Sequence, residues 1–164
     1  MKRIIIALVL LAGFQIADAQ TDTIPGYQKN PKIPTFSNFM IVPDSVKFGN
    51  ESLKKNMPVM IMIFSPDCSH CKIATEELIK HMDLFKNVQI VMASPMDFIN
   101  IKKFYEDYKI PTYPNITMGR DGTYSFGTFY KVKSYPSIYL YDKKGDFVKA
   151  FQGDIKWETI AESL

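Results

Sequence analysis

Two cysteines separated by two residues are the part of this sequence with the clearest capacity for chemistry. Cys68 and Cys71 are the only cysteines among the 164 residues. An apolar run at residues 58–64 precedes them and apolar residues recur at helical spacing after them. We therefore predict a buried strand, a short turn and a helix that continues to Phe85. A helix start stabilises a thiolate, so the spacing predicts a pair that cycles between dithiol and disulfide.

Other uses of two closely spaced cysteines depend on the ligands around them. A structural zinc site needs four ligands, and the only histidines are His70 and His81. His70 lies between the cysteines and His81 lies too far along the helix, so we expect no metal site. Covalent haem attachment requires a histidine directly after the second cysteine, where Lys72 stands. A static disulfide is the alternative that the spacing leaves open.

The residues beside the cysteines predict how the reactivity of the pair is tuned. A positive charge on His70 would stabilise a Cys68 thiolate and favour the dithiol form. A plain surface role for His70 is the alternative. Asp67 is predicted to be the N-cap of the helix, with its carboxylate directed away from the sulfur.

The N-terminal residues have the pattern of a secretory signal peptide. Two basic residues precede an apolar run at residues 4–14, and Ala17 and Ala19 place small side chains before a cleavage site. The apolar run is too short to span a bilayer comfortably. We therefore predict a signal peptide at residues 1–19 and an exported protein, periplasmic or secreted, without stable membrane insertion after cleavage.

Composition and charge predict one globular domain. The chain is 46% hydrophobic and 23% charged, as in ordinary globular proteins. We predict an irregular lead-in at residues 20–34, which is rich in proline, and a single domain at residues 35–164. A net charge of +3 gives no reason to expect nucleic acid or a membrane surface as a partner. We expect a monomer.

The rest of the chain alternates between strand and helix patterns. Ahead of the cysteines we predict two strands within residues 36–48 and a short helix capped by Asn50. After them we predict a helix that starts at Ser94, a short strand at residues 115–118 and a turn at residues 119–122. A short helix, a hairpin and a C-terminal helix complete the chain. This order predicts an α/β domain with a mixed sheet and helices on both faces.

Taken together, these motifs resemble the thioredoxin fold. A cysteine pair opens a helix after a buried strand, and Tyr135-Pro136 leads into a hairpin whose turn reads Asp-Lys-Lys-Gly. The extra strand–helix segment at residues 94–125 and the N-terminal strands are similar to the secreted TlpA/ResA group. The resemblance covers residues 35–164. It implies a thioredoxin-like fold with a mixed central sheet flanked by helices, N-terminal strands and a strand–helix insertion.

The resemblance also implies an activity, that of an exported thiol–disulfide oxidoreductase acting on protein thiols or disulfides. Cys68 would be the attacking nucleophile and Cys71 the resolving thiol. The Tyr135–Pro136 peptide bond is expected to be cis and to shape a substrate groove opposite the cysteines. No bound cofactor is expected, only protein substrates and a redox partner.

Three positions differ from the thioredoxin pattern. Asp67 replaces the aromatic residue that precedes the first cysteine, and Met62 occupies the position of a buried acid in the preceding strand. Ser69-His70 differs from the Gly-Pro of thioredoxin, although its histidine is similar to strongly oxidising periplasmic members. The direction of electron flow is therefore left open. The alternative functions are a copper carrier of the same fold and a redox-inactive protein-interaction module.

Overall fold

The computed structural model describes residues 24–153 and 155–164, so the predicted signal peptide lies outside the described residues. The strands of this part are β1 (Phe39–Ile41), β2 (Val46–Phe48), β3 (Val59–Ile63), β4 (Gln89–Ser94), β5 (Ile116–Asp121), β6 (Ser137–Tyr141) and β7 (Phe147–Gln152). Its α-helices are α1 (Gly26–Lys29), α2 (Ser69–Lys80), α3 (Phe98–Asp107), α4 (Ser125–Tyr130) and α5 (Trp157–Ala161). None of the helices described is both long and apolar enough to cross a membrane.

The described strands form a mixed sheet in the order β2-β1-β5-β4-β3-β6-β7. The central strands β5, β4 and β3 are parallel, whereas β1 and β6 pair with them in the antiparallel direction. Parallel strands end at a common edge of the sheet, and the turn from β3 to α2 that contains Cys68 lies at this edge. The predicted mixed sheet is confirmed, and the cysteines lie where its central parallel strands end.

Strand β3 is buried along its whole length because both faces of the sheet are covered. Met60 and Met62 pack on one face among residues of α2, α3 and α5. Ile61 and Ile63 pack on the other face, against α4 and the ring of Tyr27 on α1. A strand covered on both sides needs apolar residues at every position, which explains the continuous apolar run in the sequence. The predicted placement of helices on both faces is confirmed.

The lead-in that we predicted to be irregular contains one helical turn, α1. The Tyr27 ring on this turn lies 4.8 Å from the Phe147 ring and 5.5 Å from the Tyr139 ring, measured between centroids. These partners belong to the C-terminal hairpin, far away in the sequence. The helical turn therefore depends on tertiary packing, and the local pattern of proline and glycine does not reveal it.

Helix boundaries around the cysteine helix also differ from the prediction. Helix α2 ends at Lys80, and the chain continues as a 3₁₀ turn at Met82–Phe85. Ser94 is the buried last residue of β4, and Asp97 occupies the N-cap position of α3. The Ser94 hydroxyl accepts the Met96 N–H at 3.3 Å, so it closes a local turn instead of capping a helix.

The turn predicted at residues 119–122 is largely strand. Strand β5 continues to Asp121 because β1 pairs with it there, with Phe39 opposite Asp121. A β-carbon at Gly119 would collide with the backbone of Met40. Glycine at this position therefore permits close strand pairing, and it does not form the turn that its sequence context predicted.

Asn50 opens only a 3₁₀ turn, Asn50–Ser52, instead of the short α-helix that we predicted. Its side chain accepts the Phe36 N–H at 2.9 Å and donates to the Pro34 carbonyl at 3.0 Å. These bonds tie the N-terminal segment to the sheet, so the side chain is not available as a helix cap. A cis peptide bond between Val42 and Pro43 is a further feature that no sequence pattern predicted.

Candidate active site

Cys68 lies at the start of α2, as predicted. It is the extended N-cap residue, its carbonyl accepts the Lys72 N–H at 3.1 Å, and its side chain is half-buried. The prediction that Asp67 caps the helix is wrong, because the Ser65 carbonyl closes a turn with the Cys68 N–H at 3.2 Å and the helix begins one residue later. Asp67 is exposed, and no side chain caps the first turn. The Cys68 sulfur therefore lies where the helix dipole favours an anion.

Cys71 lies one helical turn further on and faces the core. It is fully buried, and its sulfur accepts a hydrogen bond from the Ser65 N–H at 3.5 Å. Burial raises the pKa of the Cys71 thiol to about 12, and the neighbouring Cys68 sulfur also acts to raise it. Both cysteines are free thiols in the structure. The pair thus combines one sulfur that a partner can reach with one that its surroundings keep protonated.

The loop before β6 lies opposite Cys68. The Tyr135–Pro136 peptide bond is cis, as predicted, and the Cys68 thiol donates to the Tyr135 carbonyl at 3.6 Å. Strand register explains this meeting, because β3 and β6 are antiparallel with Ile63 opposite Ser137. The residues that follow β3 therefore face those that precede β6. Pro136 is buried and Tyr135 is half-buried, so the loop forms one wall beside the exposed sulfur.

A groove of about 370 Å³ runs along one side of the cysteine helix. His70 and Pro136 line it together with Ile73 of α2 and Trp157 of α5. His70 is exposed, and Ile73 is 59% exposed, so the groove offers both a titratable group and apolar surface. Neither Ile73 nor Trp157 was a predicted site residue. The helical spacing of Ile73 indicated a core position, and Trp157 reaches the groove only through tertiary packing.

A second groove, of about 440 Å³, lies between α2 and α3. Asp67 and Lys72 line it beside the cysteine motif, and Lys103 and Asp107 line it from α3. Charges of both signs are interspersed here, so this groove favours neither an acidic nor a basic partner. Asp67 thus belongs to this polar groove and not to the wall that faces the Cys68 sulfur.

Met62 occupies the strand position at which the thioredoxin pattern has a buried acid. Met62 is fully buried in the core on the α2 side of the sheet. Among residues 24–153 and 155–164 the one buried carboxylate is Asp121, on β5. It accepts hydrogen bonds from the N–H groups of Ser125 and Phe126 at 2.9 and 2.8 Å, so it is engaged at the start of α4.

The two histidines are not brought together with the cysteines into a metal site. His81 contacts Glu158 on α5, with its Nε2 atom 3.1 Å from the carboxylate. In the part of the chain that the structure describes, no group of three or more His, Cys, Asp or Glu side chains is arranged to hold a metal ion.

Comparisons with known proteins agree with this fold. The family profile described as a thioredoxin-like domain matches residues 50–164. No curated protein matches the chain. A secreted disulfide oxidoreductase from Mycobacterium tuberculosis has a similar structure, at 16% identity and a TM-score of 0.62, over 76% of this chain and 92% of that chain. A thiol-disulfide oxidoreductase from Bacteroides fragilis is 15% identical, with a TM-score of 0.64, over 81% and 99%.

A thiol peroxidase from Chromobacterium violaceum is equally similar, at 15% identity and a TM-score of 0.65, over 80% of this chain and 82% of that chain. At such identities these structures show a shared fold, which does not by itself decide the reaction. The family profile, however, covers more than two thirds of the sequence and includes both cysteines at the start of α2. The chain belongs to the thioredoxin-like domain family.

Proposed function

We propose that the protein is an exported thiol–disulfide oxidoreductase that acts on protein thiols or disulfides. The observation that carries the proposal is the unequal exposure of two sulfurs one helical turn apart. Cys68 is half-buried at the N-cap of α2, whereas Cys71 is fully buried. A purely structural disulfide needs no accessible sulfur. A catalytic pair needs one accessible sulfur to react with the substrate and a second, protected sulfur to resolve the mixed disulfide.

The reaction is a pair of thiol–disulfide exchanges. In the reducing direction the Cys68 thiolate attacks one sulfur of a substrate disulfide, a Cys68–substrate bond forms, and the other substrate sulfur leaves and is protonated. Cys71 then loses its proton and attacks the Cys68 sulfur, which closes the Cys68–Cys71 disulfide and releases the second substrate thiolate. The substrate gains two electrons and the protein dithiol loses two. In the oxidising direction the same steps run in reverse.

The wall formed by Tyr135 and Pro136 is the proposed support for the substrate chain. It lies against the Cys68 sulfur, and the groove beside it adds apolar surface from Ile73 and Trp157. An extended substrate segment can place its cysteine over Cys68 while neighbouring side chains occupy this groove. His70 lies on the same groove, where its positive charge, when present, would favour a thiolate at the helix start.

The resolving step is where this site differs from a thioredoxin. Cys71 must lose a proton to attack, burial raises its pKa to about 12, and Met62 offers no carboxylate to take that proton. We therefore expect resolution to be slower than the first exchange and to accelerate with pH. Slow resolution lengthens the life of the mixed disulfide with substrate.

Export and the need for a partner are parts of the same proposal. The basic and apolar pattern of residues 1–19 supports export, and an exported pair meets an oxidising compartment. After each cycle a redox partner must return the pair to its starting state. The electrons reside in the sulfurs, so the reaction requires no bound cofactor.

The proposal is tested by insulin reduction with dithiothreitol as the electron source. The wild-type protein is expected to accelerate insulin precipitation, and Cys68→Ser is expected to abolish the acceleration. Cys71→Ser, the matched variant, is expected to accumulate mixed disulfides with proteins of the exported fraction, whereas Cys68→Ser accumulates almost none. An intact mass that begins at Gln20 checks export. Stoichiometric Cu(I) binding without insulin reduction would instead identify a copper carrier.

A further inference from the structure

The Ser65 N–H is a backbone donor that lies just past the point where β3 leaves the sheet. The preceding N–H, that of Phe64, still bonds to a carbonyl of β4 at 3.0 Å. Successive N–H groups of a strand point to opposite neighbours, so the Ser65 N–H is directed to the β6 side. The register that pairs Ile63 with Ser137 would set Ser65 opposite Tyr135. The pairing of β3 with β6 ends before this position, which frees both backbone groups for other bonds.

The two cysteine sulfurs bond to these two backbone groups. The Ser65 N–H donates to the Cys71 sulfur at 3.5 Å in a buried position, and the Cys68 thiol donates to the Tyr135 carbonyl at 3.6 Å. The Ser65 donor thus has a sulfur acceptor where a strand would offer it a carbonyl oxygen. A thiol sulfur accepts weakly, whereas an ionised acceptor makes a much stronger hydrogen bond. The bond from Ser65 therefore gains most when Cys71 loses its proton.

The turn after β3 fixes the direction of this donor. The Ser65 carbonyl accepts the Cys68 N–H at 3.2 Å, so one residue is bonded to both cysteines. Pro66 follows and is buried, and a residue before proline is restricted to extended backbone. The donor is therefore in place before a Cys71 thiolate forms. A donor held in this way stabilises a developing charge without having to reorganise.

We propose that the Ser65 N–H is a catalytic group that stabilises the Cys71 thiolate in the resolving step, where Met62 offers no carboxylate. The inference rests on the proposed function, because it assigns a group to the same site. In this step the Cys71 proton passes to hydroxide and the Cys71–Cys68 bond forms. The bond between Cys68 and the substrate sulfur breaks, and the substrate leaves as a thiolate. The Ser65 bond is strongest while the charge is on Cys71, so it favours the attacking form.

The test replaces the N–H of residue 65 by an ester oxygen. Lactic acid incorporated at position 65 by nonsense suppression makes this change, and Ser65→Ala, which has the same side chain and keeps the N–H, is the matched control. In the reaction with a chromogenic aromatic disulfide, the first phase is attack by Cys68 and the second, independent of reagent concentration, is attack by Cys71. We expect the ester to slow the second phase about three- to tenfold relative to Ser65→Ala, because the loss of thiolate is partly offset by its higher nucleophilicity. The first phase is expected to stay unchanged.

Thr75→Val is a second control on the same buried face of α2. Thr75 lies one turn after Cys71 and is fully buried, and its hydroxyl makes no hydrogen bond within the described part of the chain. We expect both phases to be unchanged in this variant. Equal second phases in the ester and Ser65→Ala overturn the proposal, and so does an equal slowing by Thr75→Val. Slowing of both phases by the ester also overturns it, because the N–H would then only hold the turn that carries Cys68.

A measurement on the unmodified backbone tests the same contact. The amide proton resonance of Ser65 is expected to move upfield in Cys71→Ala and not in Cys68→Ala, and an unchanged resonance in Cys71→Ala overturns the proposal without the ester. The kinetic assay uses a small disulfide, which separates this inference from the proposed function. A slowed second phase in a protein that does not reduce insulin would contradict the proposed function alone. Unchanged phases in a protein that does reduce insulin would contradict only the role of Ser65.

Discussion

The two segments that meet at the sulfurs are built in opposite ways. The cysteine segment, residues 65–71, is held by local hydrogen bonds between neighbours along the chain and continues directly into α2. The facing segment, residues 124–136, contains two left-handed non-glycine residues, Tyr124 and Lys131, and ends in a cis peptide bond. Its position opposite the cysteines depends on residues far away in the sequence, because β6, which follows it, pairs with β3, and the Tyr135 carbonyl accepts the Cys68 thiol.

This difference assigns separate tasks to the two segments. Short-range bonds place Cys68 at a helix start and bury Cys71 one turn later, so in the proposed function the cysteine segment sets the chemistry. Long-range contacts place a carbonyl and a proline opposite Cys68, so in the proposed function the facing segment sets how a substrate approaches the sulfur. Substitutions in the first segment should mainly change reaction rates and potentials. Substitutions of residues that hold the facing segment in place should also change the free energy of unfolding.

The largest expected effect is the difference between the two sulfurs. We expect iodoacetamide to modify Cys68 at least about a hundredfold faster than Cys71, because Cys71 is fully buried and burial raises its pKa to about 12. Time-resolved mass spectrometry of the reduced protein measures both rates, with Cys68→Ser isolating the slow one. Equal rates would contradict the division into an attacking and a resolving thiol.

The facing segment is probed by Asp121→Ala. The half-buried N–H group of Ser125 and the buried N–H group of Phe126 would lose their acceptor, and we expect the free energy of unfolding to fall by about 2 kcal/mol. Urea denaturation followed by circular dichroism measures the change. Asp121→Asn, which keeps an acceptor oxygen, serves as the control and is expected to lose less. An unchanged midpoint in Asp121→Ala would show that α4 does not need this anchor.

The pH dependence of the resolving step tests the cysteine segment again. Because the pKa of Cys71 is raised to about 12, its thiolate fraction below that pH grows by a factor of about ten per pH unit. Reaction with a chromogenic aromatic disulfide gives two phases, of which the second, independent of reagent concentration, is attack by Cys71. We expect this phase to accelerate with pH in that proportion and to be absent in Cys71→Ser. A second phase that does not change with pH would reveal a proton acceptor for Cys71.

The smallest effect is expected from His70→Pro. Proline is tolerated in the first helical turn, so the change removes the imidazole and leaves the helix in place. If the histidine favours the dithiol form, the reduction potential of the Cys68/Cys71 pair lies above the roughly −270 mV of thioredoxin. In the variant this potential falls, by the order of 30 mV for each ~1.4 kcal/mol of thiolate stabilisation that is lost. Equilibration with glutathione measures it, with His81→Asn as control. An unchanged potential would leave His70 as a surface residue of the groove.

Much of the site could be predicted because its determinants are local. A continuous apolar strand, a short turn and a helical pattern after Cys68 suffice to place one sulfur at a helix start and the other in the core. The helix and strand patterns, with the resemblance that they carry, also predicted the mixed sheet and the cis bond before Pro136. The errors near this region, such as Asp67 as N-cap, are shifts of one or a few residues in where an element begins.

Tertiary structure decided what no local pattern contains. The register of β3 against β6 brings Tyr135 to Cys68, and the pairing of β1 with β5 converts a predicted turn at Gly119 into strand. Trp157 joins the groove only because α5 packs back on the sheet. The left-handed Tyr124 over Gly127 is likewise invisible in sequence, since a tyrosine has no intrinsic preference for that backbone region. The sequence alone determined which side chains are available for the proposed chemistry, the thiols of Cys68 and Cys71, and long-range packing decided what faces them.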